Sequence, residues 1–384
     1  MYAGGNLPTP LYRLYQQRFG FSEVTLTAVF AAYVLCALVA LVFGGRLSDL
    51  VGRRPVLVTG LGFAMVGSVL FMVAGSLWVL FAARAAQGLS IGLLSGTCAA
   101  ALAEHHPTAN RRRAALMVTV ATNIGVGVGP LVSAVIADLV AQADLFVFGL
   151  HVLLLVALAV LIARIAETVT DRRMPGWTRM LRPQPLAVPH GHGLLFGASL
   201  GAGFCGFAVM GLFSALTSSF LRDLLGVTSF VQTGLVVFVL FGASTTAQLL
   251  GRGLPDRPSM VAGLAALIAG LGVVSGALAA RSLLLLVVGV LVAGAGQGLA
   301  LRGSLALLNE VSEAHRRAAV NSSFFVAAYA GMALPVLGAG AVAARSGLAM
   351  ATYLFAATLG VICVVAASIT VVSMRASATA KSSV

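Results

Sequence analysis

A succession of apolar runs, each about long enough to cross a lipid bilayer, leaves this chain few ways to fold. They lie near 24–44, 56–75, 77–100, 114–137 and 145–166, and then near 193–215, 229–250, 259–279, 281–307, 318–344 and 347–372. A helix rises 1.5 Å per residue, so about 20 residues span a hydrocarbon core of ~30 Å. The spacing predicts an all-α, multi-pass membrane protein.

Composition agrees on the solvent. Charged residues are 9% of the chain and apolar residues 59%, whereas a soluble domain carries roughly 25% charged residues. The net charge of +13 does not point to nucleic acid, because the arginines sit in the loops between apolar runs, where they report topology. The four cysteines (Cys36, Cys98, Cys205, Cys363) lie inside apolar runs without metal-like spacing and read as small hydrophobes. No zinc-type His/Glu spacing and no phosphate-cradling loop is present, so neither an enzyme nor a bound cofactor or metal is expected.

Arginine placement predicts orientation. With the 45–55 loop in the cytoplasm, the arginines of the loops near 111–113, 164–182, 252–257 and 316–317 and the charges of the C-terminal tail are inside. Arg13, Arg18, Arg222, Arg281 and Arg345 are left outside. This is a strong positive-inside bias, and it puts both termini of a complete chain in the cytoplasm. The start is unusual. Residues 1–12 are mostly apolar but reach only ~18 Å as helix, which reads as the outer half of a first span. The expectation is that its inner half is missing from the sequence, and that an in-frame upstream coding stretch supplies it.

The two halves repeat. Gln87-Gly88-Leu89 in the 77–100 run matches Gln297-Gly298-Leu299 in the 281–307 run, and each is followed by a carboxylate and a basic cluster: Glu104 before Arg111–Arg113, Glu310 before Arg316–Arg317. Ala121, Gly125, Gly129, Ser133 and Ala137 recur every four residues, as do Ala327, Gly331, Pro335, Ala339 and Ala343. Such strips of small residues let helix backbones approach closely in lipid. Pro130 and Pro335 sit at matching points and favour a kink. The segment 166–192 is polar, basic and proline-containing, so it reads as a linker.

Three motifs carry a resemblance. The loop Gly45-Arg-Leu-Ser-Asp49-Leu-Val-Gly52-Arg53-Arg54 resembles the loop between helices two and three of the major facilitator superfamily, departing from its pattern at Leu50. Arg84-Ala-Ala-Gln87-Gly88 resembles the family's fourth-helix motif, whose arginine is associated with proton coupling. Gly125-xxx-Gly129-Pro130-xx-Ser133 resembles the fifth-helix motif of its drug:proton antiporters. The resemblance implies two six-helix bundles as pseudo-symmetric repeats, the first helix incomplete here. The expected bounds are 1–166 for the first bundle, 167–192 for a cytoplasmic linker, 193–372 for the second bundle and 373–384 for a tail.

It also implies roles. Asp49, with Gly45, Gly52, Arg53 and Arg54, would latch the inner gate by capping the start of the eleventh helix. Arg84 and Gln87 are candidates for proton coupling; an arginine about seven residues, or ~10 Å, from the outer end has snorkelling as its bland alternative. Gly125, Gly129 and Pro130 would serve as hinge or seal, or as ordinary packing. Asn6, Tyr33, Asn123, Gln297 and Tyr329 fall near mid-membrane and are candidates for the substrate cavity or for interhelical hydrogen bonds. His151 is of the residue type whose ordinary range suits coupling, but a lone membrane histidine is more often a structural hydrogen-bonder. The function expected is proton-driven efflux of a small amphipathic organic compound by a single chain in the inner membrane, its partners being substrate, protons and lipid. The alternatives are a nutrient symporter or uniporter, and a transport-inactive sensor or truncated pseudo-transporter.

Overall fold

Backbone groups in lipid have no water to bond, so apolar runs of this length close their hydrogen bonds internally as helices. The computed structural model describes residues 2–44, 47–105, 111–169 and 183–382, with backbone alone for parts of 111–119 and 376–382. Gly45, Arg46 and residues 170–182 of the expected linker lie outside the described residues. The first half contains α1 (Ala3–Asn6), α2 (Pro8–Phe19), α3 (Glu23–Gly44), α4 (Leu47–Val51), α5 (Arg53–Met72), α6 (Leu77–His105), α7 (Arg111–Leu139) and α8 (Ala143–Arg164). The second contains α9 (Gly193–Ser219), α10 (Phe230–Leu250), α11 (Asp256–Ala279), α12 (Leu283–Val311), α13 (Arg317–Ser346) and α14 (Leu348–Ser382). No strand occurs among the described residues.

Eleven of these helices are long and apolar enough to cross a membrane, the same eleven runs that the sequence predicts. The most apolar, α8, has only 22% of its span buried, and Leu153, Leu154 and Leu161 stand exposed on it. A helix that is apolar all round and yet exposed is surrounded by lipid. The opening segment is longer than the sequence reading allowed: helix continues through Tyr15 and Gln16, both buried, to Phe19. It breaks at Leu7, where Pro8 and Pro10 remove backbone donors from the ladder. Gly20 closes α2 in the left-handed conformation, its N–H bonding to the Gln16 carbonyl at 2.9 Å. Gln16 then donates to Glu23 at the start of α3, 3.0 Å away.

Contacts divide the chain into two units, Met1–Gln184 with Ser229–Phe238, and Pro185–Thr228 with Val239–Val384. In the first, Leu57, Leu61, Ala64, Leu94 and Leu155 knit α5, α6 and α8 together, and Phe71 stacks on Phe148 with centroids 4.6 Å apart. Asp138, at the end of α7, explains why 229–238 belongs here. Its carboxylate accepts from the Ser229 hydroxyl (3.1 Å) and from the N–H groups of Phe230 (3.2 Å) and Val231 (3.0 Å), capping α10 from a distant helix. In the second unit Phe196, Leu308, Val320, Phe324 and Ala328 join α9, α12 and α13.

Candidate functional site

The loop between α3 and α5 is built around Arg53. Its guanidinium meets Asp49 at 2.5 Å and Glu104 at 2.9 Å and donates to the Ser48 hydroxyl at 2.7 Å. Gly52 takes φ +114°, a backbone angle that side chains resist, and a Cβ there would stand 2.6 Å from a Glu167 oxygen. That carboxylate accepts from the backbone N–H groups of Arg53 (2.9 Å) and Arg54 (3.0 Å), placing negative charge on the positive end of α5. Glu104 also accepts from the Thr168 hydroxyl at 2.5 Å. Glu167 was not singled out from the sequence. The signal was there: it is an isolated carboxylate beside a basic segment, the same pattern that drew attention to Asp49. Within its own unit Asp49 has Arg53 as its ion-pair partner, and its side chain is 59% exposed.

Arg84 is wholly buried, which removes the snorkelling alternative. Its Nε donates to the Tyr12 hydroxyl at 2.8 Å and a terminal nitrogen donates to the same oxygen. The other terminal nitrogen donates to the Gly5 carbonyl (2.6 Å) and to Gln87 Oε1 (3.0 Å). The rings of Tyr12, Tyr33, Phe71 and Phe30 surround the cation with centroids 5.2, 5.3, 5.7 and 6.0 Å away. These are electron-rich faces within cation–π range. No carboxylate is among the partners of Arg84 in the described residues. Tyr12 escaped the sequence reading; the clue to it is a buried guanidinium with no acid to pair with, which must find neutral acceptors.

The helix break at Leu7 gathers further groups. Ser133 donates to the Leu7 carbonyl at 2.7 Å, and a Cβ on Gly129 would lie 2.6 Å from the Ala3 carbonyl oxygen. Gly125 and Gly129 therefore line the seam between α7 and the first helical segment, while the Pro130 carbonyl oxygen faces α10, 2.8 Å from where a Cβ on Gly234 would lie. The matching strip in the second unit behaves alike: a Cβ on Gly331 would lie 2.3 Å from the Phe204 carbonyl oxygen on α9. His151 on α8 meets the Ser68 hydroxyl on α5 through Nδ1 at 2.8 Å.

The remaining candidates divide between the two units. Asn6 is buried on α1 and Tyr33 is buried under Arg84. Gln297 is buried, accepting from the Ser244 hydroxyl at 2.5 Å. Asn123 is half-buried on α7, and the half-buried Tyr329 lies 5.9 Å, ring to ring, from Phe207.

Comparison with known proteins bears on this arrangement. The model of the Major Facilitator Superfamily matches residues 1–275. The chain belongs to the Major Facilitator Superfamily. That sets it among membrane transporters rather than enzymes. It is similar to multidrug resistance protein D of Escherichia coli (strain K12), 34% identical over 119 residues, which are 30% of this chain and 29% of that protein. The tetracycline resistance protein, class H, of Pasteurella multocida is 30% identical over 105 residues, 27% of this chain and 26% of that protein. The matched stretches thus span less than a third of either relative. The human organic anion transporter MFSD10 shares the fold with a TM-score of 0.66 at 18% identity, over 95% of this chain and 96% of its own.

Proposed function

We propose that this superfamily member is a secondary transporter that alternates access to a site near the middle of the membrane, and that it exports a small amphipathic organic compound in exchange for protons. The observation that carries the reading is the sealed Arg84, a full charge held inside a membrane span by neutral acceptors and ring faces. Intramembrane charge is expensive and is kept where it works. Gly125 and Gly129 at the seam with the first helix, followed by Pro130, support the antiporter type. Similarity to proteins named for multidrug and tetracycline resistance favours efflux. Among the described residues the buried carboxylate Asp144 is already held by Arg18 at 3.0 Å, which disfavours a cationic cargo.

In this reading Asp49, with Gly45, Gly52, Arg53 and Arg54, forms the inner latch and meets the start of α13 when the inner side closes, an anion at the positive end of a helix. Asn6, Tyr33, Asn123, Gln297 and Tyr329 form the proposed cavity set, of which Asn123 and Tyr329 are the more accessible. The protein works as a single chain in the inner membrane, with both ends of the complete chain in the cytoplasm.

Proteoliposome transport with a panel of dyes and antibiotics tests the reading. Substrate-evoked proton release that disappears in Arg84→Ala is the expected result. Protons consumed together with substrate would make it a symporter, and substrate flux without proton movement a uniporter.

A further inference from the structure

The proposed exchange needs a group that takes up and gives back a proton, and Arg84 is unsuited to that role because a guanidinium does not deprotonate in proteins. Carboxylates of the described residues sit at helix ends or in ion pairs: Asp49 and Glu104 on Arg53, Asp144 on Arg18, and Asp138 capping α10. His151 is different. It is a group of near-neutral range, 4% exposed within a membrane span.

Its hydrogen bonds favour one tautomer. Ser68 has one hydroxyl proton, and the Ala64 carbonyl lies in place to accept it at 2.9 Å. With that proton so placed, Ser68 Oγ is an acceptor toward His151 Nδ1, 2.8 Å away, and the structure assigns the imidazole proton to Nδ1. Nε2 is then a bare lone pair. It is buried and makes no hydrogen bond with the described residues. It faces the first helix: a Cβ on Gly4 would lie 2.5 Å from His151 Cε1 and 2.9 Å from Nε2. The next residue, Gly5, gives its carbonyl to Arg84. One short glycine segment thus touches both the fixed cation and the open proton acceptor.

We infer that His151 Nε2 is the proton-binding site of the exchange, empty when α1 is packed against α8 and filled when that contact opens. The inference rests on the proposed proton-coupled transport. In the packed state a proton on Nε2 would bring a charge with no acceptor, against the Gly4 backbone and one residue from the Gly5 carbonyl that Arg84 holds. Of the remaining groups on the surrounding elements, Tyr12, Tyr15 and Tyr33 are buried phenols, the Tyr15 hydroxyl donating to the Phe71 carbonyl at 3.2 Å. Tyr2 precedes α1, Asp138 caps α10 and Asp144 is held by Arg18. Proton binding that is strong in one state and excluded in the other is the differential affinity by which a ligand drives a conformational equilibrium.

Two assays on the same proteoliposomes test this: accumulation driven by a pH gradient, and substrate counterflow with no gradient. In His151→Gln the gradient-driven accumulation is expected to fall by about tenfold or more, the range of ordinary coupling between sites, while counterflow persists. Ser68→Ala keeps the imidazole but loses its hydrogen bond, and is expected to retain gradient-driven transport with a displaced pH profile. Nitrogen-15 NMR of labelled histidine, assigned by the signal that His151→Gln removes, should show a neutral imidazole protonated on Nδ1. Gradient-driven transport undiminished in His151→Gln overturns the inference, as does loss of counterflow and gradient-driven transport together in both variants, which marks a purely structural histidine. A parent protein with counterflow but no proton movement also overturns it. A parent without counterflow sinks the transporter reading itself.

Discussion

At the scale of single residues, the Tyr12 hydroxyl is the most exacting partner in the first unit, because one oxygen accepts two N–H groups of a buried guanidinium. Tyr12→Phe keeps the ring and its cation–π contact but removes the acceptor. It leaves charged donors unsatisfied, at a cost of about 1–3 kcal/mol. The expected outcome is a lower unfolding temperature in detergent with the fold retained; an unchanged temperature would mean that Arg84 finds another acceptor. Arg84→Lys keeps the charge but not the planar fork, which an ammonium on a flexible stem does not reproduce. It cannot reach Tyr12, Gly5 and Gln87 in the same geometry, so proton release evoked by substrate should be lost even where the protein remains folded. Coupling that survives in Arg84→Lys would reduce the role of Arg84 to its charge.

At the scale of elements, the repeated Gln-Gly-Leu turns out to mark a crossing. A Cβ on Gly88 would lie 2.2 Å from the Tyr33 carbonyl oxygen of α3, and one on Gly298 would lie 2.2 Å from the Ser244 carbonyl oxygen of α10. The same close approach of backbones recurs in each half. Gly88→Ala and Gly298→Ala should therefore each destabilise by about 1–3 kcal/mol, the usual penalty for overpacking. Gly62→Ala and Gly272→Ala, where a Cβ meets nothing within 4 Å, should be neutral or stabilising by up to about 1 kcal/mol, since alanine is the better helix former. Thermal unfolding of the four variants compares them directly, and equal effects in all four would show that the crossing does not govern stability. The cap on α10 is separable: Asp138→Ala should cost about 1 kcal/mol and appear as faster hydrogen exchange at Phe230 and Val231.

The same elements show what a sequence exposes and what it hides. Helix positions were legible because hydropathy over about 20 residues outweighs local detail in lipid, and the glycines of the repeat because small residues at a fixed interval have few other uses there. Pairings between helices were not, because spacing within a helix says nothing about which helix lies beside it. Arg84 finds Tyr12 across 72 positions and Arg53 finds Glu167 across 114. Gln297, read as a cavity candidate, engages Ser244 across 53.

At the scale of the whole molecule, the question is whether Asp49 holds its own loop or times the cycle. Arg53 decides how to ask it, because it is shared: Glu104 grips the guanidinium from α6, Ser48 accepts a further hydrogen bond, and Glu167 holds the Arg53 backbone. Removing the charge of Asp49 leaves all three in place. The Asp49 side chain is 59% exposed, and exposed ion pairs contribute about 0–1 kcal/mol, so Asp49→Asn should leave the unfolding temperature almost unchanged. If Asp49 instead latches the inner gate by meeting the positive end of α13, the loss falls on the balance between inward-closed and inward-open states. A latch of about 1.4 kcal/mol shifts that balance tenfold, which is read as slower efflux and as easier labelling of a cysteine placed on the inner side. Stability held and efflux slowed separates the gate from the loop. Both falling together, or neither, would return Asp49 to the role of a local partner for Arg53.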